Sequence, residues 1–212
     1  MRHILIFNLM ALEFEFQKKI ISENYKNLLN KYGDSYKTGQ WGHDSQKFRF
    51  EELIKIGDLN NKKILDFGCG IGDFVKFLEE KKITCDYVGV DFVPELISFA
   101  SKKYPNKKFY CVDVLDGGQC EPADYIFISG VFNNKIDKAE SYMQGLLVGA
   151  FASAQKGLVF NFTSNQVNFI DSDMQYFSPE QVLKFCRENL SPRIFMKHRY
   201  HKCDVCVYVY KE

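Results

Sequence analysis

Net charge is the first thing this 212-residue chain lacks: 28 Lys and Arg stand against 27 Asp and Glu, leaving +1 at neutral pH. That balance gives no general attraction to nucleic acid or to an anionic membrane surface, so a small-molecule partner is expected instead. A membrane-spanning run is lacking too. The apolar stretch "MRHILIFNLMAL", residues 1 to 12, falls short of the roughly 20 residues a spanning helix needs. Its basic start and apolar core resemble a secretion signal, but no small-residue cleavage site follows and "EFEF" comes at once. It reads as a packed or exchanged N-terminal segment, with Met10 as an alternative start, and the chain reads as soluble and cytoplasmic. Paired cysteines are also missing. The seven present, at 69, 85, 111, 120, 186, 203 and 206, are odd in number and sit mostly in apolar runs, as reduced thiols acting as small hydrophobes do. Repeats, low-complexity tracts and linkers are absent, so the expectation is one structural domain, with residues 1–45 an N-terminal helix and lid segment and 46–212 the body.

What is present alternates. From Glu13 to about Tyr32, apolar residues at 16, 20, 21, 25, 28, 29 and 32 make a helical stripe. "YGDSYKTGQWGHDS" (32 to 45) is a turn-rich, aromatic loop, and Asp44 or Ser45 caps a helix over roughly 46 to 57. Strands are expected at 63–67, 86–91, 108–112, 124–129 and 157–163, and helices at 73–81, 94–103, 137–155 and 178–189. Short apolar strands between helices mark a parallel sheet covered on both faces. The tail, "RIFMKHRY" then "VCVYVYKE", reads as an antiparallel pair closing one edge.

The chemistry starts at "KKILDFGCGIGDF", residues 62 to 74. Gly68, Gly70 and Gly72 follow a strand that ends in Asp66, just where a helix begins. A glycine inside an element costs about 1 kcal/mol against alanine, so three together indicate a bend that a ligand approaches closely. The dinucleotide pattern G-x-G-x-x-G has a different spacing, and an acid at the strand end suits a cationic or amino-bearing ligand better than a diphosphate.

This segment resembles the first motif of the class I S-adenosylmethionine-dependent methyltransferases, an acid followed by alternating glycines. "YVGVDFVPELISFA" (87–100), "FYCVDVLDG" (109–117) and "ADYIFISGVFN" (123–133) resemble that family's next three segments, in order, and the likeness extends over about residues 46 to 211. It implies a doubly wound, seven-stranded mixed sheet of order 3-2-1-4-5-7-6 with a Rossmann-like α/β architecture and an N-terminal helical cover. It implies S-adenosyl-L-methionine as cofactor, leaving as S-adenosyl-L-homocysteine. Asp66, Phe67, Gly68, Cys69, Gly70 and Gly72 would form its bend. Asp91, beside Phe92, would hold the ribose hydroxyls, Asp113 and Val114 would flank the adenine, and Ser129 and Gly130 would border cofactor and acceptor. "DSQKFRFEEL" (44–53) resembles a Q-x-x-R-F element of bacterial small-molecule methyltransferases in this class, with Gln46 and Arg49 on one helix face. Arg49 would pair the cofactor's carboxylate, or else be a surface residue paired to Glu52. Acids at neighbouring strand tips converge on the crevice of an open α/β sheet, which agrees with the resemblance.

The expected reaction is methyl transfer to an oxygen or nitrogen of a small soluble metabolite, by a monomer or homodimer. Tyr36, Trp41, His43, Asn133 and Asn161 are candidate acceptor contacts, and His43 and His198 are candidate bases. "SGVFN" lacks the prolines of the [DN]-P-P-[YFW] clamp of nucleic-acid amine methylation. "HRYHKCDVC" (198–206) has zinc-type ligands, but on an edge hairpin side chains three apart face opposite ways, so no metal is expected. A nucleotide-cofactor oxidoreductase and a non-catalytic donor-binding module are the alternative readings.

Overall fold

The computed structural model describes residues 2–42, 44–116, 118 and 120–211, with side chains from Phe14 onward. Its strands are β1 (Lys63–Phe67), β2 (Asp86–Asp91), β3 (Lys108–Cys111), β4 (Ala123–Ile128), β5 (Ala154–Thr163), β6 (Ile194–His198) and β7 (Asp204–Tyr210). The helices are α1 (Arg2–Tyr32), α2 (Ser45–Leu53), α3 (Asp73–Glu80), α4 (Pro94–Lys103), α5 (Ala139–Ala152) and α6 (Pro179–Asn189). Among the described residues no helix is long and apolar enough to cross a membrane.

The strands form one seven-stranded sheet in the order β3-β2-β1-β4-β5-β7-β6. β1 to β5 run parallel to one another, while β7 runs antiparallel to both β5 and β6. The alternating strands and helices therefore assemble as the order expected from the sequence.

Both sheet faces are buried, and each strand divides its residues between them by parity. Leu65 and Phe67 of β1, Ile126 and Ile128 of β4, and Leu158 and Phe160 of β5 enter the core under α5. Ile64, Phe127 and Val159 enter the other core, where Phe50 and Leu53 of α2 meet Phe74 and Phe77 of α3. Asp66 shares parity with Ile64, so it lies at the α2–α3 side of the sheet's upper edge.

α1 departs from the expected stripe. Phe16 and Ile20 are exposed, whereas Phe14 and Lys18 are buried and Ile21 and Tyr25 are half-buried. A lysine occupies a core-facing position because its ammonium is neutralised there: Nζ donates to Asp113 Oδ2 at 2.7 Å and to Asp116 Oδ1 at 2.8 Å. Burial works against the charge, but these two acids hold the Lys18 pKa above its ordinary value. The pair docks α1 against the segment following β3.

Candidate active site

β1 delivers the chain to the sheet's edge, and the bend that follows is left-handed three times: Gly68 (φ +78°), Gly70 (φ +54°) and Gly72 (φ +80°). The bend is tied to β2. The N–H groups of Gly68 and Cys69 both donate to the Val90 carbonyl, at 2.8 and 3.0 Å. A Cβ on Gly68 would collide with the Val131 side chain, whereas one on Gly70 would meet nothing within 4 Å. Gly70 therefore presents bare backbone to open space, as a surface on which a ligand lies must.

That space is a cleft of about 1090 Å³, counting its solvent-open mouth. Asp66, Phe67, Gly68, Cys69 and Gly70 line it, followed by Asp91 and Phe92 from the end of β2. Asp113 and Val114 after β3, Ser129 and Gly130 after β4, and Gln46 and Trp41 complete the expected residues found there.

Asp91 has a double task. Its Oδ2 accepts the Gly70 N–H and its Oδ1 the Val93 N–H, both at 3.0 Å, so the acid fastens the bend to the start of α4. Burial raises its pKa, and these backbone donors oppose the rise. Asp66 is 4% exposed and has one polar partner, the Tyr87 hydroxyl, which donates at 2.7 Å. Desolvation, opposed by that hydrogen bond and assisted by the charges of Asp91 and Asp73, pushes Asp66 up to about 7. A positive charge placed beside this buried acid would lower its pKa again.

The described lining contains four aspartates, at 66, 73, 91 and 113, and no Lys, Arg or His. The cations close by are already engaged: Lys18 by Asp113, and Lys103 by Asp34 and Asp73.

A family model described as a methyltransferase domain matches residues 65–148, the span that runs from the bend through β4 into α5. A protein of Mycobacterium tuberculosis, named provisionally as a methyltransferase, is 25% identical over 157 residues, which is 70% of this chain and 92% of the relative. These matches support a class I S-adenosylmethionine-dependent methyltransferase. The trans-aconitate 2-methyltransferase of Rhizobium etli is 28% identical to this methyltransferase over 97 residues, 44% of this chain and 38% of the relative. In fold, the methyltransferase matches magnesium protoporphyrin IX methyltransferase of Synechocystis, solved with bound S-adenosylmethionine. The TM-score is 0.66 at 15% identity, covering 92% of this chain and 97% of the other.

The Synechocystis structure holds S-adenosylmethionine, and the residues present in this cleft suit that cofactor. A sulfonium and an ammonium outweigh the cofactor's one carboxylate, and the cleft offers acids without free cations to receive it. Bare backbone at Gly70 leaves room for it to lie against the bend.

Other expected site residues lie elsewhere. Arg49 is not part of the lining; its Nη2 donates to Asp204 Oδ1 at 2.8 Å and its Nη1 to the Ser45 carbonyl at 3.1 Å. Its carboxylate partner in the protein is Asp204 and not Glu52, which binds Lys55 and Lys197 instead. The guanidinium also lies 4.6 Å from the Trp41 ring, and that ring rests against Gly130 so closely that no side chain fits there. Arg49 thus backs the cleft's Trp41 wall from behind.

Gly72 is a structural member of the bend: a side chain there would meet Tyr104 and Phe109. Asn161 is buried beneath the cleft, its Oδ1 accepting the Gly130 N–H at 2.8 Å. Asn133 accepts from Thr163 at 3.4 Å, and Tyr36 is outside the lining. His198 ends β6, on the outermost strand opposite β3, too far across the sheet to line the cleft. His43 lies outside the described residues. In the stretch weighed for zinc, Cys206 is buried under α2 and His201 stacks on Phe48 at 4.9 Å; no metal-holding group of three or more His, Cys, Asp or Glu occurs among the described residues.

Ile21 and Tyr25 of α1, Thr38 and Asn134 line the cleft without having been singled out in the sequence. Ile21 and Tyr25 belonged to the helical stripe, but a stripe does not reveal which partner it faces. Asn134 is one residue from the predicted Asn133, and loop conformation alone decides between them.

Proposed function

We propose that the methyltransferase transfers its methyl group to an oxygen or nitrogen of a small soluble metabolite. The observation that carries this reading is the roof over the cleft. Ile21 and Tyr25 of α1, together with Thr38 and Trp41 of the following loop, close the cleft opposite the sheet's edge. A roofed cleft admits a compact acceptor and suits an extended polymer poorly.

In this reading Asp91 holds the ribose hydroxyls, Asp113 and Val114 flank the adenine, and Asp66 receives positive charge. The bound cofactor supplies an electrophilic methyl carbon on a positively charged sulfur. This chain's residues would hold the acceptor's lone pair in line with that carbon, and the proposed base would take the acceptor's proton. Positive charge spreads in the transition state, so the protein's contribution is alignment and exclusion of water. The Trp41 wall, backed by Arg49, and the tyrosine on α1 serve that purpose. His43, two positions from Trp41 in the sequence, is the proposed base.

Incubating the protein with a methyl-labelled donor and a soluble metabolite extract tests this. Label in a small product supports the proposal. Label found only in protein or nucleic acid added to the same mixture would refute it.

A further inference from the structure

The methyl donor is charged at one end only. Its sulfonium, ammonium and carboxylate lie together, while its adenine is neutral and offers a 6-amino group as hydrogen-bond donor. The acids of the cleft differ in the same way. Asp66 bonds a neutral hydroxyl, that of Tyr87. Asp113, beyond β2, has a cation supplied by the protein itself: Lys18 Nζ donates to its Oδ2 at 2.7 Å. A carboxylate facing an uncharged base would otherwise be desolvated without a counter-charge, which is unfavourable.

Lys18 is 6% exposed. Its Nζ also donates to Asp116 Oδ1 at 2.8 Å and lies 3.9 Å from Glu15 Oε2. Of these three acids, Asp113 lines the cleft, whereas Asp116 and Glu15 are about half exposed to solvent. The other oxygen of Asp113 is held as well, Oδ1 accepting the Leu115 N–H at 2.9 Å. The carboxylate is thus fixed at both oxygens, by α1 on one side and by its own loop on the other. A carboxylate has about four acceptor sites, so capacity for a further donor remains. Lys18, Ile21 and Tyr25 stand at i, i+3 and i+7, on one face of α1, and the latter two line the cleft.

Building on the proposed placement of the adenine beside Asp113, we infer that Lys18 is a positioning residue for recognition of the base. It keeps the Asp113 carboxylate turned to the cleft, where it accepts a hydrogen bond from the adenine 6-amino group. The docking of α1, and with it the roof, is thereby tied to the identity of the base. Without Lys18 the carboxylate loses its counter-charge and turns out to water, and the base end of the cleft is no longer read.

Calorimetry with S-adenosylhomocysteine and S-inosylhomocysteine tests this, since the inosyl compound carries a carbonyl acceptor in place of the 6-amino donor. The unmodified protein should bind the adenosyl compound at least about tenfold more tightly, the scale of a hydrogen bond to a charged group. In Lys18→Met that ratio should fall below threefold. A loosened α1 alone would weaken both ligands alike, so an unchanged ratio overturns the inference. Asp116→Asn removes the partner of Lys18 that lies outside the cleft, and its ratio should stay within twofold of the original. A collapsed ratio in that variant also overturns the inference. Should Lys18→Met fail to fold, hydrogen exchange of the unmodified protein decides. At saturation the adenosyl compound should slow exchange over residues 15–25 at least threefold more than the inosyl compound, and equal protection overturns the inference. So does equal binding of the two compounds by the unmodified protein. Failure of that protein to bind either compound would sink the methyl-transfer reading itself, a result distinct from normal binding with a ratio that ignores Lys18.

Discussion

Replacing Gly70 and Gly68 separately by alanine separates the two tasks of the bend. Both residues have left-handed backbones, so alanine at either costs about 1–2 kcal/mol from conformation alone. In a chain of this length that lowers the melting temperature by roughly 2–8 °C. The two differ in what the new methyl group meets. At Gly70 it projects into empty space along the cleft, so Gly70→Ala should lose no further stability but should weaken S-adenosylhomocysteine at least tenfold. At Gly68 it strikes Val131, and overpacking adds about 1–3 kcal/mol to the conformational cost. Gly68→Ala should therefore melt lower than Gly70→Ala. Thermal unfolding and isothermal titration of both variants provide the comparison. A Gly70→Ala protein that binds S-adenosylhomocysteine as tightly as the original would refute the claim that the donor lies against this bend.

Asp66, pushed up from 3.8 to about 7 in the folded protein, holds a proton more tightly there than in the unfolded chain. Stability should thus fall as pH rises from about 4 to about 7, by at most roughly 4 kcal/mol, a pKa unit being worth about 1.4 kcal/mol. Asp66→Asn should remove that slope in urea unfolding, be more stable than the original at pH 8, and bind the positively charged donor more weakly. Identical slopes in the two proteins would contradict this. Arg49→Met strands Asp204, which is 1% exposed, and should cost about 3–5 kcal/mol. Adding Asp204→Asn should restore much of that loss. A large drop in S-adenosylhomocysteine affinity in the double variant would instead return Arg49 to the role of carboxylate ligand. Lys18→Met should cost about 1–3 kcal/mol, the scale of a charged hydrogen bond, with the difference narrowing at high salt because Asp116 is half exposed. No change in unfolding would show that α1 docks without this pair.

The sheet was legible in the sequence because its strands are short apolar runs separated by helix-length segments, and the closing hairpin broke the rhythm visibly. The cofactor side of the cleft was legible for a related reason. Asp66, Asp91 and Asp113 each stand at or just past a strand end, and strand ends in a parallel sheet share one edge. The roof was less legible. Lys18 faces the core, against any rule that separates apolar from polar residues, because two acids nearly 100 positions away neutralise it. Arg49 was found by its motif, but its partner Asp204 lies 155 positions along the chain, on the strand that arrives last. Ion pairs between distant segments leave no local periodicity. The rest of the cleft belongs to the same class, since α1, the loop after it, the segment after β4 and α5 line it together only once α1 is docked.

The central claim is that the glycine bend and the acids around it hold the methyl donor, and a crystal structure with S-adenosylhomocysteine tests it most directly. The account predicts the nucleoside over Gly68 to Gly70, its ribose at Asp91, its base beside Asp113, and the thioether sulfur toward Gly130 and Val131. A nucleoside bound at another face of the molecule, or a bend contacted by nothing at saturating ligand, would contradict it.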